Sequence, residues 1–462
     1  MEILFDLQKD HSRILKNSTA AERIKKLKFL EALILKKRGL LKEALQKDLH
    51  KSGIESDLTE IFPALNEIRF IRRNLRQWMQ DKKVITPLPL FGTSSYVKYE
   101  AKGNILILSP WNYPINLCLV PLAGAIAAGN AVILKPSELA PNCSAVLSEM
   151  FRNNFDNKEI AVVEGGVETA QALLKLKFDH IFFTGSSRVG KLIMHAAADN
   201  LSEITLELGG KSPTIVDEHV NLKVAAKRIV WSKFINAGQT CIAPDYILVH
   251  KSKAKELRSL IKSEIIRSFG LDPQNSDSLG RIVNKVNYDR LENAQKESVS
   301  LGARYEAVGV NDPTDKFIAP AIVFDQKEED YFSQEEIFGP VLSLVEYADM
   351  DEAIAKIQGR SKPLVLYIYS KNRKNINRII NETSSGAVVV NHGLLHFSNN
   401  YLPFGGVNES GIGRYHGKHT FLTFSNEKSI LKQWFPLSVS TIISAPFTKT
   451  AKRIVDFIVR WL

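Results

Sequence analysis

The 462-residue chain is 44% hydrophobic and 24% charged, which excludes a disordered or low-complexity protein and leaves room for about three domains. Its apolar runs stay below the roughly 18 residues of a membrane span, and its three cysteines, Cys118, Cys143 and Cys241, form no even, closely spaced framework, which favours a reducing compartment. The formal net charge of +11 comes with no finger, RNA-recognition or helix-turn-helix pattern, so it reads as a solvated basic surface able to attract an anionic cofactor or an acidic membrane, with no nucleic-acid partner expected.

The first residues, Met1-Glu2-Ile3-Leu4-Phe5-Asp6, show no basic leader before an apolar core, and a cytoplasmic location is expected. Thr19 and Glu22 have capping-box spacing, and Ile24, Leu27, Leu30 and Ile34 follow at helical intervals. Gly39 is expected to interrupt this helix before Leu41, Leu45 and Leu49 resume it. Ile61, Leu65, Ile68 and Leu75 outline another. Prolines at 87 and 89 break helices, and residues 94–99 alternate like a strand, which suggests an excursion to a small separate unit.

A strand-then-helix rhythm follows, with strands expected at 104–109, 131–135, 160–164, 180–183 and 203–208 and helices at 117–128 and 189–198. This is the mark of an α/β fold with a mostly parallel sheet, whose ligands sit beyond the carboxyl ends of the strands. The interesting residues fall there. After the first strand, Ser109-Pro110-Trp111-Asn112-Tyr113-Pro114 holds an amide between prolines, either a fixed donor suited to an oxyanion hole or a plain turn. After the second, Lys135-Pro136-Ser137-Glu138 reads equally as a helix start with Ser at the cap. After the fourth, Thr184-Gly185-Ser186-Ser187-Arg188-Val189-Gly190 is a glycine-bearing turn into a helix whose N-terminus can face a pyrophosphate, without the GxGxxG spacing.

Leu206-Glu207-Leu208-Gly209-Gly210-Lys211-Ser212-Pro213 brings a carboxylate off a strand end before a glycine pair, where burial would raise its pKa and suit it to act as a base. Asn236-Ala237-Gly238-Gln239-Thr240-Cys241 sets a cysteine in a loop where sulfur and main-chain N–H can face one substrate atom. Free cysteines are also common inert core residues. Beyond it come a helix at 253–268 and strands at 245–249 and 364–369. The string Glu335-Glu336-Ile337-Phe338-Gly339-Pro340 reads alone as an acidic surface pair before a buried Ile-Phe. From Ala451, Ile454, Val455, Ile458, Trp461 and Leu462 share one helical face and Lys452, Asp456 and Arg460 another, with Phe447 and Ile442-Ile443 adding apolar surface. Such a helix suits a membrane interface or caps a subunit or its dimer partner's channel.

The Leu-Glu-Leu-Gly-Gly-Lys-Ser-Pro and Gly-Gln-Thr-Cys strings, in this order and with the others above, resemble the aldehyde dehydrogenases over about residues 1 to 435. Cys-Ile-Ala-Pro-Asp-Tyr at Cys241 and Tyr-His-Gly-Lys at Tyr415 are most similar to the short, usually dimeric branch of fatty and aromatic aldehyde dehydrogenases. The resemblance implies a Rossmann-type NAD(P)-binding domain over 1–82 and 103–208 and an α/β catalytic domain over 209–393. Bridging, oligomerising β segments would take 83–102 and 394–430, leaving a tail at 431–462. It further implies Cys241 as nucleophile, Glu207 as general base and Asn112 as oxyanion donor, with no metal. Trp111, Lys135, Glu138, Gly185, Ser186, Gly190, Glu336 and Phe338 would face the cofactor. Lys135 and Glu138 would clamp the adenosine ribose, and Glu138 would oppose a 2′-phosphate, which tilts the cofactor toward NAD with NADP admitted. Glu336 would bind the nicotinamide ribose, with Phe338 by the ring.

Tyr113, His396 and Phe397 are candidates for an apolar substrate channel, although an ordinary core uses such residues too. Asn408 stands where the family more often has glycine, and asparagine can hold the same left-handed turn. The reaction implied is NAD(P)-dependent oxidation of a medium- or long-chain aliphatic or aromatic aldehyde to the acid, by a homodimer, through a thiohemiacetal and thioester on Cys241. Two alternatives stand beside it. An acylating dehydrogenase would pass the thioester to coenzyme A or phosphate and have less use for Glu207. A catalytically silent cofactor-binding or structural protein would have no use for Asn112, Glu207 and Cys241 together.

Overall fold

The computed structural model describes residues 1–436 and 438–461. A helix at Glu2–Leu15 precedes the capping box, where the Thr19 hydroxyl accepts the Glu22 N–H and the Glu22 carboxylate accepts the Thr19 N–H. The helix so capped runs unbroken from Ala20 to Leu49, through Gly39. A mid-helix glycine costs about 1 kcal/mol, while Ile34, Leu41, Leu45 and Leu49 on either side are fully buried, each contributing roughly 1.5–3 kcal/mol. Burial therefore overrides the break. A π-helical turn, Asp57–Ile61, leads into the next long helix, Phe62–Trp78, which packs against Ala20–Leu49.

A six-stranded sheet follows in the order Gly411–Ile412, Glu203–Leu208, His180–Gly185, Asn104–Leu108, Ala131–Lys135 and Ile160–Val162. All its pairs are parallel except the first. Asn104–Leu108 and Ala131–Lys135 are buried at every residue, as strands covered on both faces must be. A seven-stranded sheet runs Arg304–Ala307, Ala321–Phe324, Val341–Tyr347, Tyr246–His250, Pro213–Val216, Val365–Tyr369 and Ala387–Val390, antiparallel only at its first pair.

The third sheet is antiparallel, Lys82–Val84 with Thr93–Ala101 and Ser425–Gln433. Of the segment 394–430 expected there, only the last residues join it. Gly411 and Ile412 pair instead with Glu207 and Leu206. Glycine allows that approach, since a Cβ on Gly411, at φ +148°, would stand 2.4 Å from the Leu206 carbonyl oxygen. The glycine-rich run is thereby laid against the strand that carries Glu207.

The tail ends in a helix, Lys449–Trp461. Ala451 is buried and Ile454 and Ile458 half-buried, while Val455, Phe457, Val459 and Trp461 are exposed. The expected single apolar face is thus divided between the body and solvent; Leu462 and the Ile442 side chain lie outside the described residues. No described helix is long and apolar enough to cross a membrane.

Candidate active site

Cys241 follows a 3-10 turn, Ile235–Gly238, in which Asn236, Ala237 and Gly238 are left-handed in succession, with φ of 53°, 51° and 75°. A Cβ on Gly238 would stand 2.1 Å from the Gly339 carbonyl oxygen, so this step requires glycine. Non-glycine residues in this region cost on the order of 1–3 kcal/mol each and persist only where their surroundings hold them. Hydrogen bonds do so here. The Asn236 side chain donates to the carbonyls of Asn112 at 2.8 Å and Gln239 at 3.1 Å, and Asn112 Nδ2 donates to the Gln239 carbonyl at 3.0 Å. Gln239 in turn donates to the carbonyls of Asn236 and Arg281 and accepts the Val283 N–H. Two stretches more than a hundred residues apart in the chain form one unit.

Cys241, Glu207, Tyr113, Thr240 and Phe397 line a cavity of about 220 Å³. Glu207 is 3% exposed and neither carboxyl oxygen has a partner. Burial pushes its pKa well above the carboxylate range, with Arg414 pulling the other way. The half-buried Cys241 thiol is pushed up to about 12 by burial, then by Glu336 and Glu207, against the main-chain N–H groups of Cys241 and Ile242 that favour its thiolate. Tyr113 shares a 2.6 Å hydrogen bond with the Thr240 hydroxyl. Asn112 does not line the cavity and is 4% exposed.

His396 does not line it either, but stacks at 5.8 Å on Phe404, which does, and His416 stacks on the same ring at 5.1 Å. Burial lowers His396 to about 4 and His416 to about 3, so both imidazoles are neutral near pH 7. The wall they support is uncharged.

On the other side, the buried Lys135 donates to Glu138 at 3.0 Å and to the Pro136 carbonyl at 3.2 Å. The Ser137 hydroxyl accepts the Leu139 N–H, and the helix begins only at Pro141 with Ala140 at its cap, so the Lys135–Glu138 stretch is a turn and not a helix start. Ser186 caps the helix Ser187–Asn200, its hydroxyl accepting the Val189 N–H, directly after Gly185 ends its strand. Gly190 lies so close to Leu208 that a Cβ would stand 2.9 Å from it. The Glu336 carboxylate covers the glycine pair, 2.2 Å from where a Gly209 Cβ would be, and burial with Asp245 raises it to about 8. Phe338, at φ 45°, meets the Trp111 ring edge-on at 5.5 Å.

These features fit a dinucleotide. A capped helix N-terminus suits a pyrophosphate, Lys135 and Glu138 offer a donor and an acceptor for ribose hydroxyls, and the paired Trp111 and Phe338 rings offer flat apolar surface. The sequence reading missed Lys51, Glu55 and Glu60, which hydrogen-bond the turns around Asn112 and Asn236.

The aldehyde dehydrogenase family model matches residues 6–430. The chain belongs to that family. This aldehyde dehydrogenase is 46% identical over 412 residues to the 4,4'-diaponeurosporen-aldehyde dehydrogenase of Staphylococcus aureus, covering 88% of each chain. It is 44% identical over 410 residues to human aldehyde dehydrogenase family 3 member B1, covering 88% of this chain and 86% of the other. A solved structure described as the substrate-bound state of Staphylococcus aureus AldH matches it with a TM-score of 0.95 at 42% identity, over 99% of both chains. The α/β fold is therefore that of the aldehyde dehydrogenases, and the protein is an oxidoreductase acting on aldehydes with NAD or NADP.

Proposed function

We propose that this aldehyde dehydrogenase oxidises medium- or long-chain aliphatic or aromatic aldehydes to carboxylic acids, with a thioester on Cys241 and Glu207 activating the hydrolytic water. The reading rests most on one observation: an unpartnered buried carboxyl and the only half-buried cysteine of the described chain line the same cavity. Its uncharged wall suits an apolar substrate.

Cys241 attacks the aldehyde carbon as thiolate, and the Cys241 N–H with the second amide hydrogen of Asn112 stabilises the oxyanion, the first hydrogen being held by Gln239. Trp111, Lys135, Glu138, the Gly185-Ser186 turn with Gly190, Glu336 and Phe338 would hold NAD or NADP, which would supply the hydride acceptor. Loss of hydride from the thiohemiacetal carbon leaves the Cys241 thioester. Glu207 takes a proton from water, the hydroxide adds to the thioester, and the acid departs with the sulfur restored. The partly exposed Glu138 opposes a 2′-phosphate by like charge, so NAD is the preferred form.

Specificity constants across a series of aliphatic chain lengths and aromatic aldehydes test the substrate class, and a preference for short, hydrophilic aldehydes would overturn it. Formation of acyl-coenzyme A in place of the free acid would establish the acylating alternative. Asn112→Ala should lower the rate roughly 100- to 1,000-fold, the cost of one oxyanion donor; a loss below tenfold in steady-state assays would remove it from that role.

The three-stranded sheet ends on the exposed strand Ser425–Gln433, followed by Trp434 and Phe435 at 62% and 37% exposure, which supports a homodimer. The exposed Val455, Phe457, Val459 and Trp461, interspersed with Lys452, Arg453 and Arg460, support peripheral binding of a cytoplasmic protein to a membrane. Salt-sensitive binding to anionic lipid vesicles should disappear when the chain is cut after Phe447, with activity on short aldehydes retained. Equal binding by both forms would discard the anchor, and loss of dimerisation on truncation would assign the helix to capping.

A further inference from the structure

Residues 50–61, between the two long N-terminal helices, supply no group to the chemistry above, yet Lys51, Glu55 and Glu60 among them turn inward. The Lys51 and Glu60 side chains are fully buried and meet at 2.7 Å. Each also reaches the Asn112 turn. Glu60 Oε2 accepts the N–H groups of Ile115 at 3.2 Å and Asn116 at 2.9 Å, while Lys51 Nζ donates to the Asn112 carbonyl at 3.4 Å and stands 4.3 Å over the Tyr113 ring. Glu55 Oε1 accepts the N–H of Asn236 at 2.7 Å, the first of the three left-handed residues that lead to Cys241.

Glu55 and Glu60 are five residues apart, which on an α-helix would aim them about 140° from each other. Glu55 stands in a short α-helical turn, Gly53–Ser56, and Glu60 in the π-helical turn that follows, Asp57–Ile61, whose wider winding narrows that angle. Burial pushes both carboxyls up, and Lys51, paired with Glu60, opposes that in part for each. A buried ion pair adds little net stability over apolar residues of the same size. The hydrogen bonds of the pair to the Asn112 turn, with that of Glu55 to the Asn236 N–H, are what apolar replacements could not provide.

We propose that Lys51, Glu55 and Glu60 are positioning residues of the oxidation, a clamp with a buried ion pair and a half-buried third member that fixes the Asn112 turn and the Cys241 loop relative to each other. The clamp rests on the roles of Cys241 and Asn112 proposed above. It touches no reacting atom, and acts by keeping sulfur and oxyanion donor in register, where a displacement of about 1 Å can cost a hundredfold in rate.

The test uses the full-length protein with NAD and a simple aldehyde. Glu55→Ala should lower kcat roughly 10- to 100-fold with the Kd for NAD unchanged. Glu55→Gln, which keeps an oxygen for the Asn236 N–H, should recover most of that loss. Lys51→Met should cost much less in the Asn112→Ala background than in the wild type, because the amide that it positions is then absent. Wild-type kcat in Glu55→Ala, failure of Glu55→Gln to restore it, or full additivity of Lys51→Met with Asn112→Ala would each overturn the clamp. If Glu55→Ala does not fold, Glu55→Gln and the Lys51–Asn112 cycle still decide. Turnover by Cys241→Ala would remove the thioester reading itself, whereas an inactive Cys241→Ala beside a fully active Glu55→Ala would remove the clamp alone.

Discussion

Cys241→Ala should abolish aldehyde oxidation, by roughly 10⁴-fold or more, the scale seen when a nucleophile is removed from a covalent mechanism. The same protein should still fold and bind NAD. The residues assigned to the cofactor lie on other turns, from Trp111 to Gly190 and around Glu336, and alanine leaves the left-handed turn at Asn236 to Gly238 untouched. Cys118 and Cys143 are fully buried, their thiols are pushed far up by burial, and neither lines the cavity. Replacing either with alanine should leave kcat within a few-fold. Parallel NADH-formation assays and NAD titrations on the three variants check this. Near-normal turnover by a folded Cys241→Ala would end the covalent mechanism, and an inactive Cys118→Ala with intact folding would move the nucleophile elsewhere.

The five parallel strands of the six-stranded sheet were legible as short, mostly apolar runs closed by turn residues, whereas Pro213–Val216, Ala321–Phe324, Val341–Tyr347 and Ala387–Val390 of the other sheet were not among the expected strands. Thr19 and Glu22 announced their helix by spacing alone. The helix Glu2–Leu15 was not legible. Its buried residues are Phe5, Gln8, Ser12 and Leu15, so half of its inward face is polar. Gln8 is tolerated there because it donates to the carbonyls of Val132 and Asn157, more than 120 residues away, and no local periodicity carries that information. Gly39 misled for the opposite reason, since local propensity spoke for a break and tertiary burial decided otherwise. In the site, Cys241, Glu207 and Asn112 stand in distinctive strings, but Lys51, Glu55 and Glu60 sit in a charge-rich stretch that reads as surface. Only the later turns at 112–116 and 236–241, folded against them, bury Lys51 and Glu60 and half-bury Glu55.

Glu207→Gln should release about one equivalent of NADH per active site and then stall, because the steps up to the thioester need no carboxylate while its hydrolysis does. Mass spectrometry of the stalled protein should find the acyl group on Cys241. In the wild type the base works only when ionised, and burial holds Glu207 protonated well above the usual carboxylate range. Steady-state turnover limited by hydrolysis should therefore climb with pH through that raised value, and the residual rate of Glu207→Gln should lack this limb. Stability moves the other way. Between the ordinary carboxylate pKa and the raised one, the folded protein keeps a proton that the unfolded chain has released, so the wild type loses stability as pH rises through this window. Glutamine has no proton to lose there, and Glu207→Gln should match or exceed the wild type in thermal stability on the alkaline side. A stalled variant that is as stable as its parent separates lost chemistry from lost structure. Steady wild-type turnover by Glu207→Gln would assign water activation to another group.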